Sequence, residues 1–386
     1  MIATITMPRL LYIGGGAVAE VTSALARLGA RQPLIVTDQF MVSSGMLAKV
    51  SDRLDAAGLK WQVFADTVPD PTTDVVEAGV RALQAGNYDC LIALGGGSPI
   101  DTAKAMSVLA ANGGKMRDYK VPNEIPAIGL PVIAIPTTAG TGSEVTRFTV
   151  ITDSERDEKM LIMGLACCPA AAIVDYELTF TMPWRLTADT GIDSLTHAIE
   201  AYVSRKASPF TDGVAKAAMG LIAKHIRTAC REPNDRAARE AMMLGATQAG
   251  MAFSNASVCL VHGMSRPIGA FFHVPHGLSN AMLLPEITAF SAPAALERYA
   301  DCARAMGVAA EGEGNQAAVA RLLDELRALN DDLKVPTPKA YGIDAKRYRE
   351  LLPVMASQAL ASGSPGNNPR IPTADEIIAL YERVYA

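Results

Sequence analysis

The chain has 386 residues, 49% hydrophobic and 19% charged, and this composition excludes an intrinsically disordered protein. Lys and Arg number 35 and Asp and Glu 40, so the net charge of −5 provides no electrostatic surface for nucleic acid or an anionic membrane. Neither a membrane span nor a signal peptide is visible, and the six cysteines lack a CxxC pair or a disulfide spacing. We therefore expect a cytoplasmic protein with reduced thiols.

Strand-like and helix-like segments alternate in the first half of the chain. Short runs rich in β-branched residues end in turn signals and predict strands at 33–38, 90–95 and 131–136. Helix-forming residues dominate the stretches between them, for example 73–85 and 101–111. Alternation at this spacing predicts βαβ units and a mostly parallel sheet.

The second half of the chain has a different composition. After about residue 183 the Val, Ile and Thr runs disappear, and Ala, Leu, Met, Glu and Arg dominate, which predicts helices. Thr373 and Glu376 form a capping box that predicts the start of the last helix. We therefore predict two domains, an α/β domain over residues 1–183 and an all-α domain over residues 184–386.

Two glycine-rich segments are candidates for dinucleotide binding. Residues 14–19 fit G-x-G-x-x-A, and Asp38 lies roughly where a Rossmann fold has its ribose-binding acid. Residues 95–99 directly follow a predicted strand and precede a helix, whose N–H groups and dipole suit a pyrophosphate. An ordinary strand-to-helix turn is the alternative for each segment.

A hydroxyl-rich segment follows the strand at 131–136. Residues 136–146 include four threonines, one serine and two glycines. Hydroxyls at the carboxyl end of a sheet strand are well placed to bind a ribose, a phosphate or a carboxamide. An ST-rich turn is the alternative.

Histidine is scarce in this chain, and four histidine or carboxylate side chains suggest a metal site. Asp193 and His197 are four residues apart and share one face of a helix predicted to start near Thr187. Together with His262 and with His276, which is predicted at a turn, they suit a divalent metal with open coordination positions. The alternative is that each histidine is a hydrogen-bonded core residue. His225, in the amphipathic run 217–229, is predicted to be a surface or interhelical residue.

Several segments together resemble the iron-containing (group III) alcohol dehydrogenase family. The segments occur in the family's order and are residues 93–104, 136–144, 190–200, 261–264 and 275–281. The resemblance runs from about Asp38 to the end of the chain. It implies an N-terminal dinucleotide-binding domain, a helical metal-binding and catalytic domain, an active site in the cleft between them, and a homodimer or higher homo-oligomer.

The resemblance also implies the site residues. The metal, usually Fe(II) and sometimes zinc, would be held by Asp193, His197, His262 and His276. Asp38 would bind the ribose of NAD, residues 14–16 would form only a strand and turn, and Leu178 would line the adenine. The remaining cofactor residues are Gly96, Gly97 and Ser98 at the pyrophosphate, Thr137, Thr138 and Thr141 at the nicotinamide half, and Asp101, Phe148 and Lys159 nearby.

Two departures from the family pattern affect the chemistry. Arg266 stands where relatives often have a second histidine four residues after His262, and arginine stays protonated and makes a poor proton relay. Pro267 predicts that the helix ends at Arg266. We expect Arg266 either to favour anionic substrates or to form a salt bridge, and the proton to leave by water, by cofactor hydroxyls or through His273. Asp70, in a loop that is commonly Pro-Asn-Pro, adds negative charge on the cofactor side.

These observations predict a metal-dependent, NAD-linked alcohol dehydrogenase that transfers hydride between a small primary alcohol, or its aldehyde, and NAD. Two alternatives use the same scaffold: a hydroxyacid–oxoacid transhydrogenase and a reductase of hydroxyaldehydes of the lactaldehyde type. A third alternative, from another class, is a metal- or nucleotide-binding protein without turnover.

Overall fold

The structure is a computed structural model that describes residues 2–386. Its internal contacts divide the chain into two compact units, Thr4–Thr181 and Met182–Ala386, the second of which also includes residues 2 and 3. The sequence predicted domains over residues 1–183 and 184–386. None of the helices formed by residues 2–386 has the length and apolar content that a membrane crossing requires.

The first unit contains eight strands and five α-helices among the described residues. The strands are β1 (Leu10–Ile13), β2 (Pro33–Val36), β3 (Gln62–Phe64), β4 (Cys90–Gly95), β5 (Val132–Pro136), β6 (Phe148–Asp153), β7 (Glu158–Met163) and β8 (Ala171–Val174). The helices are α1 (Val21–Leu28), α2 (Gln39–Ser43), α3 (Ala48–Ala56), α4 (Thr73–Gln84) and α5 (Gly97–Asn112).

Six of these strands form one parallel sheet in the order β1-β8-β5-β4-β2-β3, and β6 and β7 form a separate antiparallel hairpin. Every residue of β4 and β5 is buried, as expected for parallel strands covered on both faces. Side chains of α4 and α5 pack on one face, and those of α1 and α3 pack on the other. The predicted parallel α/β fold is confirmed.

The second unit is helical throughout its regular structure. Its helices are α6 (Trp184–Val203), α7 (Pro209–Arg231), α8 (Arg236–Ala256), α9 (Leu260–Phe272), α10 (His276–Ser291), α11 (Leu296–Ala305), α12 (Asn315–Asp332), α13 (Pro338–Tyr341), α14 (Ala345–Ala361) and α15 (Ala374–Tyr385). The capping box of Thr373 and Glu376 at the start of α15 is confirmed.

Three local predictions in this unit are wrong. Helix α6 begins at Trp184 rather than near Thr187, and His276 is the first residue of α10 rather than part of a turn. Helix α9 continues through Pro267 to Phe272. Its apolar side chains Met264 and Ile268 are fully buried, and this tertiary packing outweighs the hydrogen bond that proline cannot make.

Candidate metal centre and nucleotide site

Helix α6 supplies the first two candidate ligands. Asp193 and His197 are one turn apart and both are buried, with His197 Nε2 4.0 Å from Asp193 Oδ1. The imidazole of His197 is stacked against two other rings: the centroid distances are 4.2 Å to Phe253 and 4.4 Å to His262. The ring of His197 is therefore held in place on the face that it shares with Asp193.

His262 on α9 and His276 on α10 complete the group that the sequence predicted. The Nε2 atoms of His262 and His276 lie 3.5 and 3.8 Å from Asp193 Oδ1. One donor atom from each of the four residues lies within 4.8 Å of the others. The side chain of His276 is 47% exposed, whereas those of the other three are buried, so the group is open to solvent on the His276 side.

The carboxylate and the imidazoles of this group stabilise one another's charged forms. Burial raises the pKa of the Asp193 carboxyl, but the imidazoles of His197, His276 and His262 outweigh it, and the pKa falls well below its usual range. Burial lowers the pKa of His262, but the carboxylates of Glu200 and Asp193 raise it to about 9. Asp193 is therefore a charged carboxylate in the metal-free protein, and a metal would compete with a proton for His262.

The donor set fits a divalent metal such as Fe(II) or zinc, because it combines one carboxylate oxygen with three imidazole nitrogens. The fully buried amide of Asn280 lies at the point that three of these ligand atoms face. Its Nδ2 lies 2.7 Å from Asp193 Oδ1 and 3.2 Å from Nε2 of both His262 and His276. One carboxylate oxygen and two imidazole nitrogens therefore face a single point, as they would around a cation.

Sequence reasoning missed Glu200 and Asn280. Glu200 is buried behind His262, with Oε2 2.7 Å from His262 Nδ1. A signal was available for both residues. Glu200 follows Asp193 by seven positions and Asn280 follows His276 by four, so each lies on the ligand-bearing face of its helix.

The other candidates near this centre are separate from the four-residue group. Because α9 continues past Pro267, Arg266 lies one turn after His262 on the same helix. Its side chain is half-buried. Burial lowers the pKa of Arg266 and the carboxylate of Glu200 raises it, but no carboxylate within residues 2–386 forms an ion pair with the guanidinium. The predicted alternative role of Arg266, a salt bridge, therefore has no acidic partner among the described residues. His273 is an exposed residue with φ 54° after α9, and His225 is half-buried on α7.

The carboxyl ends of β2, β4 and β5 bring three predicted cofactor segments to one edge of the sheet, because β4 lies between β2 and β5. Asp38 follows β2 and caps α2, with Oδ1 accepting a hydrogen bond from Met41 N at 2.9 Å. Gly96 is the N-cap of α5 and offers no side-chain cap. The first N–H groups of α5, including those of Gly97 and Ser98, are therefore available to an anionic ligand.

Some of the hydroxyls in the segment after β5 make hydrogen bonds within the protein, and others do not. Thr138 Oγ1 is buried without a partner among the described residues, and Thr137 is also buried. Thr141 Oγ1 accepts a hydrogen bond from Ser143 N. The carboxylate of Asp101 accepts from Ser143 Oγ at 2.6 Å and from Val150 N at 2.9 Å. Asp101 therefore holds the segment in position, and Thr138 has the hydroxyl that still needs a partner.

The last three predicted cofactor residues differ in accessibility. Lys159 Nζ lies 2.8 Å from Asp70 Oδ1, so the negative charge expected from Asp70 is offset by its own ion pair. Phe148 is half-buried, and its carbonyl accepts a hydrogen bond from Lys104. Leu178 is only 1% exposed and packs in the core under the sheet.

In the other glycine-rich turn, at residues 14–16, a side chain of the protein itself accepts the backbone hydrogen bonds. The two carboxylate oxygens of Asp175 accept hydrogen bonds from Gly16 N at 3.1 Å and Val18 N at 3.0 Å. These are N–H groups that a phosphate would need. A Cβ on Gly15 would lie 2.9 Å from the ring of Tyr176. The geometry thus supports residues 95–99, rather than 14–16, as the pyrophosphate turn.

Comparison with known proteins gives a consistent result over the whole chain. Residues 8–176 match the family described as iron-containing alcohol dehydrogenase, and residues 187–385 match the Fe-containing alcohol dehydrogenase family, C-terminal. The chain is 40% identical to lactaldehyde reductase of Escherichia coli (strain K12), over 97% of both chains. It is also 40% identical to the NAD-dependent methanol dehydrogenase of Bacillus methanolicus, over 96% of this chain and 97% of the relative.

Two further comparisons bear on cofactor and fold. The chain is 37% identical to the NADPH-dependent butanol dehydrogenase of Clostridium saccharobutylicum, over 98% of this chain and 97% of the relative. Its structure resembles the crystal structure of a 1,3-propanediol oxidoreductase, with a TM-score of 0.96, 33% identity and full coverage of both chains. The relatives thus include both NAD- and NADPH-dependent enzymes.

Proposed function

The chain belongs to the iron-containing alcohol dehydrogenase family, and on that premise we propose that it interconverts small primary alcohols and their aldehydes with NAD and a divalent metal, Fe(II) or zinc. The observation that carries the proposal is the convergence of one carboxylate and three imidazoles within 4.8 Å of one another. A convergent, solvent-accessible set of this kind suits a substrate oxygen as well as a metal.

Asp193, His197, His262 and His276 would hold the metal, which when bound supplies a Lewis acid for the substrate oxygen, worth roughly several kcal/mol. The exposed side chain of His276 marks the side from which a substrate reaches the group. His273, exposed and three residues before His276, is the side chain that we propose passes the alcohol proton to water. NAD, when bound, would supply the hydride acceptor for the carbinol carbon.

The proposed NAD site consists of the three segments at one edge of the sheet. The N–H groups of Gly97 and Ser98 would donate to the pyrophosphate, and the unpartnered Thr138 hydroxyl would bind the nicotinamide half. Asp38 would accept hydrogen bonds from ribose hydroxyls and repel a 2′-phosphate, which favours NAD over NADP. Asp101 acts by positioning Ser143.

The experiment that tests this function combines metal analysis with a cofactor assay. Metal-loaded protein is incubated with NAD and a series of short unbranched alcohols, and NADH absorbance is followed. His262→Ala should lose its bound metal and nearly all turnover, whereas His225→Ala, a histidine outside the group, should retain both. Metal-loaded wild type that forms no NADH with any alcohol would favour the binding protein without turnover. Full metal content and activity in His262→Ala would remove His262 from the site.

Arg266 favours a second candidate, an enzyme for hydroxy acids. Its half-buried guanidinium has no carboxylate partner in residues 2–386, so an anionic group on a substrate would satisfy it. The similarity to a lactaldehyde reductase supports a hydroxyaldehyde as a further alternative substrate. Arg266→Ala should raise KM for hydroxy acids much more than KM for unbranched alcohols of similar size. A small and uniform change for all substrates would rule this candidate out.

We include in the proposal that the chain forms a homodimer or higher homo-oligomer and acts in the cytoplasm. All six cysteines are free thiols, which agrees with a reducing compartment. Light scattering of the purified protein measures the oligomeric state directly, and a monomer at micromolar concentration would contradict this part.

A further inference from the structure

Glu200 is a buried carboxylate that the proposed reaction does not itself use. It is 3% exposed and lies on α6, one turn after His197 and on the same helix as Asp193. Burial of a carboxylate is unfavourable unless its oxygens are hydrogen-bonded. The position of Glu200 therefore requires an explanation in terms of its contacts.

Both oxygens of Glu200 are occupied at the start of α9. Oε1 accepts a hydrogen bond from Val261 N at 2.6 Å, and Oε2 accepts one from Cys259 N at 2.9 Å. These N–H groups precede the first intrahelical hydrogen bonds of α9, where a negative charge is also favoured by the helix dipole. Glu200 thus attaches the first turn of α9 to α6, and both helices carry candidate metal ligands.

The same carboxylate also determines which nitrogen of His262 is free. Oε2 lies 2.7 Å from His262 Nδ1, and a carboxylate that already accepts two backbone hydrogen bonds acts as an acceptor there. Nδ1 therefore carries a hydrogen, and Nε2, which faces Asp193 Oδ1 at 3.5 Å, is the nitrogen left for a metal. An outer carboxylate of this kind fixes the orientation of a metal-binding imidazole.

We propose that Glu200 is a positioning residue of the metal site, which acts through His262 by orienting its ring and by fixing the first turn of α9 against α6. The inference rests on the metal site of the proposed function. It assigns to Glu200 a role in metal affinity that a residue needed only for folding would not have.

The test measures metal affinity without turnover. Metal-free protein is titrated with Co(II), and visible absorption together with a competing chelator gives the Kd and the ligand-field spectrum. Glu200→Gln should raise the Kd about 10- to 100-fold and shift the spectrum, because the amide cannot replace all three acceptor contacts. Glu200→Asp keeps the charge but is shorter, so its Kd should lie between those of the wild type and Glu200→Gln.

Tyr202→Phe is the matched control for lost stability. Tyr202 lies on the same helix and is buried, and its hydroxyl donates to Asp301 at 2.6 Å, away from His262. It should lower the melting temperature of the metal-free protein without changing the Kd for Co(II).

Four outcomes separate the interpretations. If Glu200→Gln lowers the melting temperature but leaves the Kd and the spectrum as in wild type, the positioning role is wrong. If Glu200→Gln does not fold, a wild-type Kd in Glu200→Asp overturns the proposal in the same way. A wild type that binds no Co(II) would refute the metal site itself, whereas tight binding without NADH formation would refute only the alcohol dehydrogenase function.

Discussion

Asp38 has two carboxylate oxygens with different environments. Oδ1 accepts a hydrogen bond from Met41 N and caps α2, and no other hydrogen bond within residues 2–386 involves the side chain. The second oxygen is therefore available to a ribose hydroxyl at the edge of the sheet where the proposed pyrophosphate turn also lies. In the proposed function, Asp38 is the residue that would decide between NAD and NADP.

We expect Asp38→Gly to narrow the preference for NAD over NADP, because the charge that repels a 2′-phosphate is lost. Glycine is a tolerable N-cap, so α2 should lose only roughly a few tenths of a kcal/mol. The values of kcat/KM for both cofactors measure the effect. Asp38→Asn is the control, since it removes the charge and keeps the capping oxygen. A wild type that already prefers NADP would show that Asp38 does not contact the ribose.

At the scale of elements, the turn that precedes α5 and the turn that follows β1 have the same glycine-rich appearance but different partners. Asp175 occupies the amides of the turn after β1, whereas the start of α5 has no internal acceptor from its N-cap. The start of α5 therefore has donors to offer a ligand, whereas Gly16 N and Val18 N are already taken. The partner, and not the glycine pattern, distinguishes them.

We expect Gly97→Val to abolish NAD binding and Gly15→Ala to leave NAD affinity unchanged. A Cβ at Gly97 would lie 3.0 Å from Thr141 Cγ2, and valine would add atoms where a phosphate approaches the backbone. A Cβ at Gly15 meets the ring of Tyr176, so this variant should lose about 1–3 kcal/mol of unfolding free energy. Calorimetric titration with NAD and urea unfolding measure the two effects. Similar losses of NAD affinity in both variants would contradict the assignment.

At the scale of the whole molecule, the two proposed ligands belong to different units of the chain. The candidate metal ligands lie on α6, α9 and α10 of Met182–Ala386, whereas the candidate NAD residues lie in Thr4–Thr181. A ligand that binds only the folded state stabilises it by about 2.7 kcal/mol at 100 times its Kd. Each ligand should therefore protect mainly its own unit.

Amide hydrogen exchange with and without a chelator tests this expectation. Removal of the metal should increase exchange in α6, α9 and α10 and leave β4 and β5 nearly unchanged. Addition of NAD to the metal-free protein should instead slow exchange around the start of α5. An increase spread evenly over the chain on metal removal would contradict a site confined to the helical unit.

The sequence by itself determined the parallel α/β fold and the helical second half. It also predicted which four residues would converge at the candidate metal centre. These predictions rest on spacing along the chain: β-branched runs alternating with helix formers, and the i, i+4 interval of Asp193 and His197. His262 and His276 lie on other helices, so their inclusion rested on the scarcity of histidine in the chain and on the family resemblance rather than on spacing.

Only the tertiary structure decided the features that depend on distant partners. Glu200 and His262 are 62 positions apart, Asp175 and Gly16 are 159 apart, and the ion pair of Lys159 with Asp70 spans 89 positions. Local spacing carries no information about such contacts, because they exist only after the elements have packed. For the same reason, Pro267 was expected to end α9, whereas burial of its neighbours keeps the helix intact.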